Sequence, residues 1–147
     1  MIVYVDSSVL LRIILGEPAP LRQWRAITRP IASELIRLEC LRTIDRARLQ
    51  YRLDDRHVAA QRAAVLEQLE AFETIPIDSA VLDRAAEPFP TRIGSLDAIH
   101  LASALMARAF VPGLQFATHD SGLAVAAQAM GFKVFGVPAR RGPARKA

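Results

Sequence analysis

The stretch that most constrains the fold is a run of four apolar, β-prone residues at positions 2–5, which ends directly on the carboxylate of Asp6. Such a run, without alternating polar residues, is typical of a strand buried on both faces of a parallel sheet. Ser7 or Ser8 then begins a helix as its N-cap. We therefore predict that Asp6 lies at the carboxyl end of a central strand, where open α/β sheets bind ligands. The alternative is that Asp6 serves only to cap the helix.

Strand-like and helix-like segments alternate along the rest of the chain. Further strands are predicted at 30–32, 72–77, 114–118 and 132–135, and helices at 8–15, 21–28, 34–49, 55–70, 81–86, 96–110 and 120–130. In the third and fourth helices, apolar side chains recur at helical spacing and are expected in the core: Leu35, Leu38, Leu41 and Ile44, then Val58, Val65, Leu66 and Leu69. The alternation predicts an α/β domain with a mainly parallel central sheet.

The length and composition predict one globular domain over residues 1–137, followed by a basic, disordered tail at 138–147. The 147 residues are 52% hydrophobic, which suffices for a substantial core. No apolar run reaches the roughly 18 residues of a membrane span, and the first residues do not form a signal-peptide pattern. The single cysteine, Cys40, excludes an internal disulfide and favours a reducing compartment, so we expect a cytoplasmic protein without a membrane partner.

Three further carboxylates are candidates for the sheet edge at which Asp6 lies. Asp120 follows the fourth predicted strand, Asp97 lies in the first turn of a long predicted helix, and Glu39 lies inside another. The carboxyl ends of parallel strands share one edge, so Asp6 and Asp120 are expected to meet there. Each added acid also has a simpler explanation: Asp97 and Asp120 favour helix N-termini, and Glu39 forms a solvated pair with Arg42.

Convergence of four carboxylates without basic partners would make them repel one another, and each would resist ionisation. A fold keeps such a cluster mainly when a hard cation neutralises it, and ligands that are all oxygen suit Mg²⁺ or Mn²⁺ rather than zinc. Such a site activates water and stabilises in-line displacement at phosphorus. The net charge of +4 and the pI of about 10.0 are compatible with a polyanionic substrate.

Residues around the predicted cluster are candidates for supporting roles. Ser7 and Thr118 can hydrogen-bond a metal-binding carboxylate or a bound water. Arg12, Arg42 and Arg46 can supply contacts to the phosphates of a polyanion, although arginine is ordinary on a helix surface.

Two other side chains are expected to be structural. His100 follows Asp97 by three residues, but a site of oxygen ligands does not need it, so a packed or hydrogen-bonded histidine is expected. Trp24 is a lone aromatic residue on a short predicted helix, and we expect it to pack rather than to stack on a base.

Four segments of the chain carry a family resemblance. They are Val-Asp-Ser-Ser at 5–8, Ser-Glu-Leu-Ile-Arg-Leu-Glu-Cys-Leu-Arg at 33–42, Leu-Asp-Ala-Ile-His-Leu-Ala-Ser-Ala-Leu at 96–105 and Ala-Thr-His-Asp at 117–120. Together they resemble the PIN-domain nucleases, and most closely the VapC toxins of bacterial toxin–antitoxin pairs. The resemblance covers almost the whole chain, and the segment at 96–105 is its most specific part.

The resemblance implies a three-layer α/β/α fold and an acidic site that binds Mg²⁺ or Mn²⁺ and cleaves RNA. The matching acids are Asp6, Glu39, Asp97 and Asp120, with Glu34 as an alternative to Glu39 because it lies one turn closer to the sheet edge. The resemblance also implies a homodimer and a VapB-like antitoxin that covers the active groove. The protein is therefore predicted to be a metal-dependent endoribonuclease that acts as the toxin of such a pair.

Two other functions remain open on the sequence alone. A PIN-like domain can serve as a non-catalytic module that binds RNA or a partner protein. Aspartyl-phosphate phosphotransferases also carry an aspartate after their first strand, but they usually place a second aspartate two residues later, where this chain has Ser8.

Overall fold

A computed structural model describes residues 1–138 of the chain. Its strands are β1 (Ile2–Val5), β2 (Arg29–Ser33), β3 (Glu73–Ile75), β4 (Gln115–Ala117) and β5 (Val134–Phe135). All pairings between them are parallel, and the spatial order is β3-β2-β1-β4-β5. The run at positions 2–5 is therefore the central strand, as predicted. The tail predicted at 138–147 lies, apart from Pro138, outside the described residues.

Two sets of helices cover the sheet. They are α1 (Ser7–Ile14), α2 (Leu35–Tyr51) and α3 (Asp55–Leu69), and then α4 (Ser79–Ala86), α5 (Ser95–Phe110) and α6 (Ser121–Ala129). The first three contact one another, whereas α5 contacts both α4 and α6. Separate apolar clusters hold the two sets against the sheet. The predicted three-layer α/β/α fold is confirmed.

Alternate side chains of β1 divide between the two layers. Tyr4 packs with Leu101 of α5 and Leu123 of α6, whereas Val3 and Val5 belong to a cluster on the other face, beside α1. All three strand residues are completely buried. Burial on both faces explains why the run has no polar alternation.

The helix predicted at 21–28 is wrong. Only a 3₁₀ turn at Trp24–Ala26 forms there, and the backbone N–H of Thr28 already donates to the carbonyl of Met1 at 2.9 Å. The chain must be extended beside β1 at this point in order to enter β2. The backbone is already extended at Ile27, so the helical segment ends at Ala26.

Two leucines that were predicted to lie in the core are exposed, Leu38 by 58% and Leu66 by 41%. The buried side chains of α2 and α3 include Ile44 and Val65, as predicted, together with Cys40, which the prediction left out. Apolar spacing alone does not distinguish two adjacent stripes of one helix, because the buried stripe is set by how the helices pack against each other.

The fold brings the carboxyl ends of β1 and β4 side by side. Val5 is in register with Ala117, and the backbone N–H of Asp6 donates to the carbonyl of Ala117 at 3.0 Å. Because α1 and α6 begin directly after these strands, Asp6 and Asp120 lie in adjacent loops at one edge of the sheet.

Candidate acidic active site

Asp6 is buried, with 4% of its surface exposed. Its Oδ2 atom accepts hydrogen bonds from Ser8 Oγ at 2.5 Å and from Thr118 Oγ1 at 2.9 Å. The same oxygen lies 3.4 Å from the backbone nitrogen of Ser8 and so caps α1. Oδ1 instead faces His100, whose Nε2 atom is 3.5 Å away. Asp6 is therefore a helix cap that also presents an oxygen to the sheet edge, and the two sequence-based explanations hold together.

Glu39 reaches the same place from the middle of α2. Its Oε2 atom lies 2.5 Å from His100 Nε2, and one ligand atom from each of Asp6, Glu39 and His100 lies within 4.8 Å of the others. The alternative acid, Glu34, is exposed, and its Oε2 atom accepts the backbone N–H of Ile77 at 3.3 Å. The fold thus brings Glu39, and not Glu34, against Asp6.

His100 is fully buried between the acids and β1. Its Nε2 atom faces two carboxylates and so carries a hydrogen, while Nδ1 lies 2.9 Å from the hydroxyl of Tyr4. That hydroxyl accepts the backbone N–H of Ser33 at 3.1 Å, which leaves its own hydrogen to point at Nδ1. A neutral ring with its hydrogen on Nε2 satisfies every one of these partners.

The pKa of His100 is raised above its ordinary value. Burial on its own lowers this pKa, but the hydrogen bond to Glu39 and the negative charges of Asp6 and Glu39 outweigh it. The expectation that the acids converge without a basic partner is therefore wrong. The available signal was the position of His100 one helical turn after Asp97, which puts both side chains on one face of α5.

Asp97 and Asp120 lie at the margin of this centre. Asp97, in the first turn of α5, is half-buried; burial raises its pKa, and the charges of Asp120 and Asp6 raise it further. Asp120 is exposed, and its Oδ1 atom caps α6 by accepting the backbone N–H of Leu123 at 2.8 Å. Within residues 1–138, neither carboxylate hydrogen-bonds to Asp6 or Glu39. Asp6 and Glu39 therefore meet at His100, while the charges of Asp120, Asp6 and Glu39 all act on Asp97.

Two hydroxyls join the loops that carry Asp6 and Asp120. Thr118 Oγ1, which donates to Asp6, also accepts the backbone N–H of Asp120 at 2.9 Å. Ser8 Oγ accepts the backbone N–H of His119 at 2.9 Å. The sequence analysis predicted Ser7 and Thr118 for this role and overlooked Ser8. The Ser7 hydroxyl lies 3.4 Å from Asp6 Oδ1, a longer contact than that of Ser8.

The three arginines proposed to bind RNA have partners elsewhere on the surface. Arg12 pairs with Glu17 at 3.6 Å, Arg42 pairs with Asp45 at 3.0 Å, and Arg46 donates to Thr43 Oγ1 at 3.3 Å. In the described part of the chain, none of the three contacts an acid of the candidate site.

The donor set fits a hard divalent cation. Two carboxylates converge at the sheet edge, and the imidazole nitrogen beside them carries the hydrogen that Glu39 accepts. The donors left for an ion are therefore carboxylate oxygens, which suit Mg²⁺ or Mn²⁺, whereas zinc favours nitrogen and sulfur.

The parallel sheet and the acids at the carboxyl ends of its central strands are typical of α/β domains with an acidic active site. Comparison with known protein families identifies which of these domains this is. The PIN domain family model matches residues 3–129, so the chain belongs to the PIN-domain family. It is also 30% identical over 135 residues to "Ribonuclease VapC46" of Mycobacterium tuberculosis (strain ATCC 25618 / H37Rv), an overlap of 90% of this chain and 95% of that protein. The resemblance predicted from the sequence, to PIN-domain proteins of the VapC type, is confirmed. Across residues 1–138, no helix has the length and apolar character needed to cross a membrane.

Proposed function

We propose that this protein is a metal-dependent endoribonuclease and the toxin of a VapBC-type toxin–antitoxin pair. The observation that carries the proposal is the approach of Asp6 and Glu39 at the sheet edge, in a chain of the PIN-domain family. Its similarity to a protein named as a ribonuclease of the VapC type supports RNA as the substrate. A cytoplasmic location, homodimerisation and control by a VapB-like antitoxin belong to the same proposal and rest on the same similarity.

The catalytic acids of the proposal are Asp6, Glu39, Asp97 and Asp120. Their oxygens would hold Mg²⁺ or Mn²⁺, which when bound supplies a Lewis acid for activating water and for neutralising charge on the phosphodiester. Asp6 and Glu39 each bring an oxygen within 4.8 Å of the other, and Asp97 and Asp120 add negative charge to the same region.

The surrounding side chains fix the directions of these carboxylates. Ser8 and Thr118 engage Oδ2 of Asp6, so the other oxygen is left facing the centre of the site. The Nε2–H group of His100 donates to Glu39, while Tyr4 holds the opposite nitrogen of the ring. Prior orientation of charged groups lowers the cost of reorganisation during the reaction, which is a general source of catalytic power.

A matched pair of substitutions on α2 tests the site. Purified Glu39→Gln protein should lose RNA cleavage by at least about 100-fold, because it loses the charge of one proposed metal ligand. Removal of one preorganised catalytic group typically has an effect of this size. Glu34→Gln removes the same charge about one and a half turns earlier and should cleave like the wild type. Cleavage of a fluorescent single-stranded RNA, with Mn²⁺ or with chelator, is the measurement. Cleavage that survives chelation, or a Glu39→Gln protein that remains fully active, contradicts the proposed mechanism.

The toxin role needs a separate test in cells. Expression of the chain in bacteria should arrest growth, and co-expression of its VapB-like antitoxin should restore growth. Asp97→Asn is the inactive control. Normal growth in the presence of folded, RNA-cleaving protein would rule out the toxin role and leave the nuclease activity standing.

A non-catalytic PIN-like module is the alternative that these assays decide. It predicts RNA or partner binding with no cleavage by the wild-type protein under any metal condition.

A further inference from the structure

A cavity of about 980 Å³ lies beside the acidic site, between the start of the 3₁₀ turn and the last described residues. We call it the arginine cavity, and its polar and aromatic lining is Arg12, Arg22, Gln23, Trp24, Arg25 and His119. None of the sequence-based site predictions included Arg22 or Arg25.

Hydrogen bonds connect the wall of the arginine cavity to the acidic site. The backbone N–H of His119, in the cavity wall, donates to Ser8 Oγ at 2.9 Å, and Ser8 Oγ donates to Asp6 Oδ2 at 2.5 Å. His119 also precedes Asp120 in the chain. If a polymeric ligand places one phosphate at the acids, its neighbouring nucleotide therefore lies near the cavity.

The charge of the cavity is positive. Arg22 and Arg25 are exposed and form no ion pair within the described part of the chain, whereas Arg12 is held beside Glu17 at 3.6 Å. No acidic side chain of residues 1–138 lines the cavity. A cavity lined by arginines and by no acid favours a polyanionic ligand with several phosphates over a ligand with a single negative charge.

The floor of the cavity is apolar. Trp24 is partly buried, with its ring 6.4 Å from that of Phe72, and Ile13 and Leu21 line the same region. An apolar floor with guanidinium groups at the rim matches a nucleotide, whose base and sugar need apolar contact and whose phosphate needs positive charge.

We infer that the arginine cavity binds a nucleotide next to the cleaved bond, with Arg22 and Arg25 on its phosphate and the Trp24 side of the floor against its base. The inference rests on the proposed function for RNA as the polyanion and for the acids as the place of cleavage. A base must leave its helical stack to enter a cavity, so the occupant is single-stranded RNA rather than a duplex.

The test measures RNA binding by full-length protein that carries Asp97→Asn to prevent cleavage. Arg22→Ala/Arg25→Ala in this background should weaken binding of a fluorescein-labelled single-stranded RNA at least about tenfold. The slope of log affinity against log salt should fall by about 1.4, since each lost contact to a single strand contributes about 0.7. Arg56→Ala/Arg62→Ala on α3 removes the same charge and should change affinity less than about twofold.

The outcomes separate this inference from the proposed function. Equal losses in the two double variants would mean that net charge alone matters, and unchanged binding by Arg22→Ala/Arg25→Ala would mean that RNA does not enter the cavity; either result overturns the inference. A loss of equal size with duplex RNA of the same sequence also overturns it.

A double variant that keeps its RNA affinity but loses affinity for the antitoxin would assign the cavity to the protein partner instead. Circular dichroism and thermal melts establish that each variant is folded. Failure of the wild-type protein to cleave RNA, by contrast, removes the proposed function whatever these binding measurements give.

Discussion

The buried hydroxyl of Tyr4 connects the backbone of β2 to the ring of His100. It accepts the N–H of Ser33 and lies 2.9 Å from Nδ1 of the histidine, so the opposite nitrogen is directed at Glu39. Burial raises the pKa of Tyr4 well above its usual range, and the nearby charge of Asp6 acts in the same direction. The phenol consequently remains a hydrogen-bond donor at every pH at which the protein is expected to work.

Removal of this hydroxyl should destabilise the protein without changing its shape. Tyr4→Phe keeps the ring stacked on Phe116, with centroids 5.0 Å apart. The free energy of unfolding should fall by about 1–3 kcal/mol, because Ser33 N–H and His100 Nδ1 lose a buried partner. Urea unfolding measures the loss. Tyr51→Phe, at a side chain that is 66% exposed, should stay within about 0.5 kcal/mol of the wild type. Equal stability of Tyr4→Phe and the wild type would disprove the hydrogen-bond assignment.

The raised pKa of Asp97 makes stability depend on pH. Between the unfolded value of about 3.9 and the higher folded value, the folded protein holds more protons than the unfolded chain. The free energy of unfolding therefore falls as pH rises through that window. Asp97→Asn removes this titration, so it should flatten the profile and stabilise the metal-free protein at neutral pH.

Urea unfolding in chelator, from about pH 4 to pH 7, measures the effect of Asp97→Asn. Asp83→Asn, on an exposed position of α4, is the control and should follow the wild-type curve. A stability profile of Asp97→Asn that falls as steeply as that of the wild type would show that the burial and charges around Asp97 do not act as described.

At the scale of the elements, α1 and α6 each begin with an aspartate that has two roles. Asp6 and Asp120 both cap their helices through a carboxylate oxygen, which satisfies backbone N–H groups that are otherwise without partners. The same side chains face the candidate site because both helices begin at the carboxyl ends of adjacent strands. A stabilising contact and a functional position therefore coincide in the same residues.

Two substitutions of Asp120 separate these roles. Asparagine can still cap α6, so Asp120→Asn should remain within about 0.5 kcal/mol of the wild type in its free energy of unfolding, whereas Asp120→Ala should lose about 0.5–2 kcal/mol. Under the proposed function, both should lose RNA cleavage because both lose the charge. Thermal melts and the cleavage assay, run on the same preparations, provide the comparison. An active Asp120→Asn protein would remove Asp120 from the catalytic set.

The sequence predicted those parts of the site that depend on strand order, and it left alternatives open or missed contacts where packing decides. Asp6 and Asp120 follow strands, and parallel strands end at a shared edge, so their proximity follows from pattern alone. The choice between Glu34 and Glu39 depends on how far α2 extends past the sheet and in which rotation, which is a tertiary property. The role of His100 depends on Tyr4, a partner 96 positions away in the sequence, and local spacing does not reveal such a contact.

For the whole molecule, metal binding is expected to act on stability. A ligand present at about 100 times its dissociation constant, and bound only by the folded state, adds about 2.7 kcal/mol. Mn²⁺ should therefore raise the melting temperature of the wild type, and Asp6→Asn should lose most of that gain. Glu34→Gln should keep the full gain because its carboxylate lies at Ile77 instead. Thermal melts in chelator and in Mn²⁺ supply the data. A full Mn²⁺ gain in Asp6→Asn would exclude Asp6 as a ligand.

The hydrogen bond between Thr118 and Asp6 spans 112 positions of the chain, and β1 acquires β4 as a neighbour only through residues 115–117. Until the ribosome has released residues 115–118, the nascent chain contains Asp6 without Thr118 and without β4 beside β1. The order of synthesis thereby delays assembly of the proposed nuclease site until residues 115–118 have been translated and released. Under the proposed function, a premature stop before β4 would yield a fragment that lacks Thr118 and does not cleave RNA.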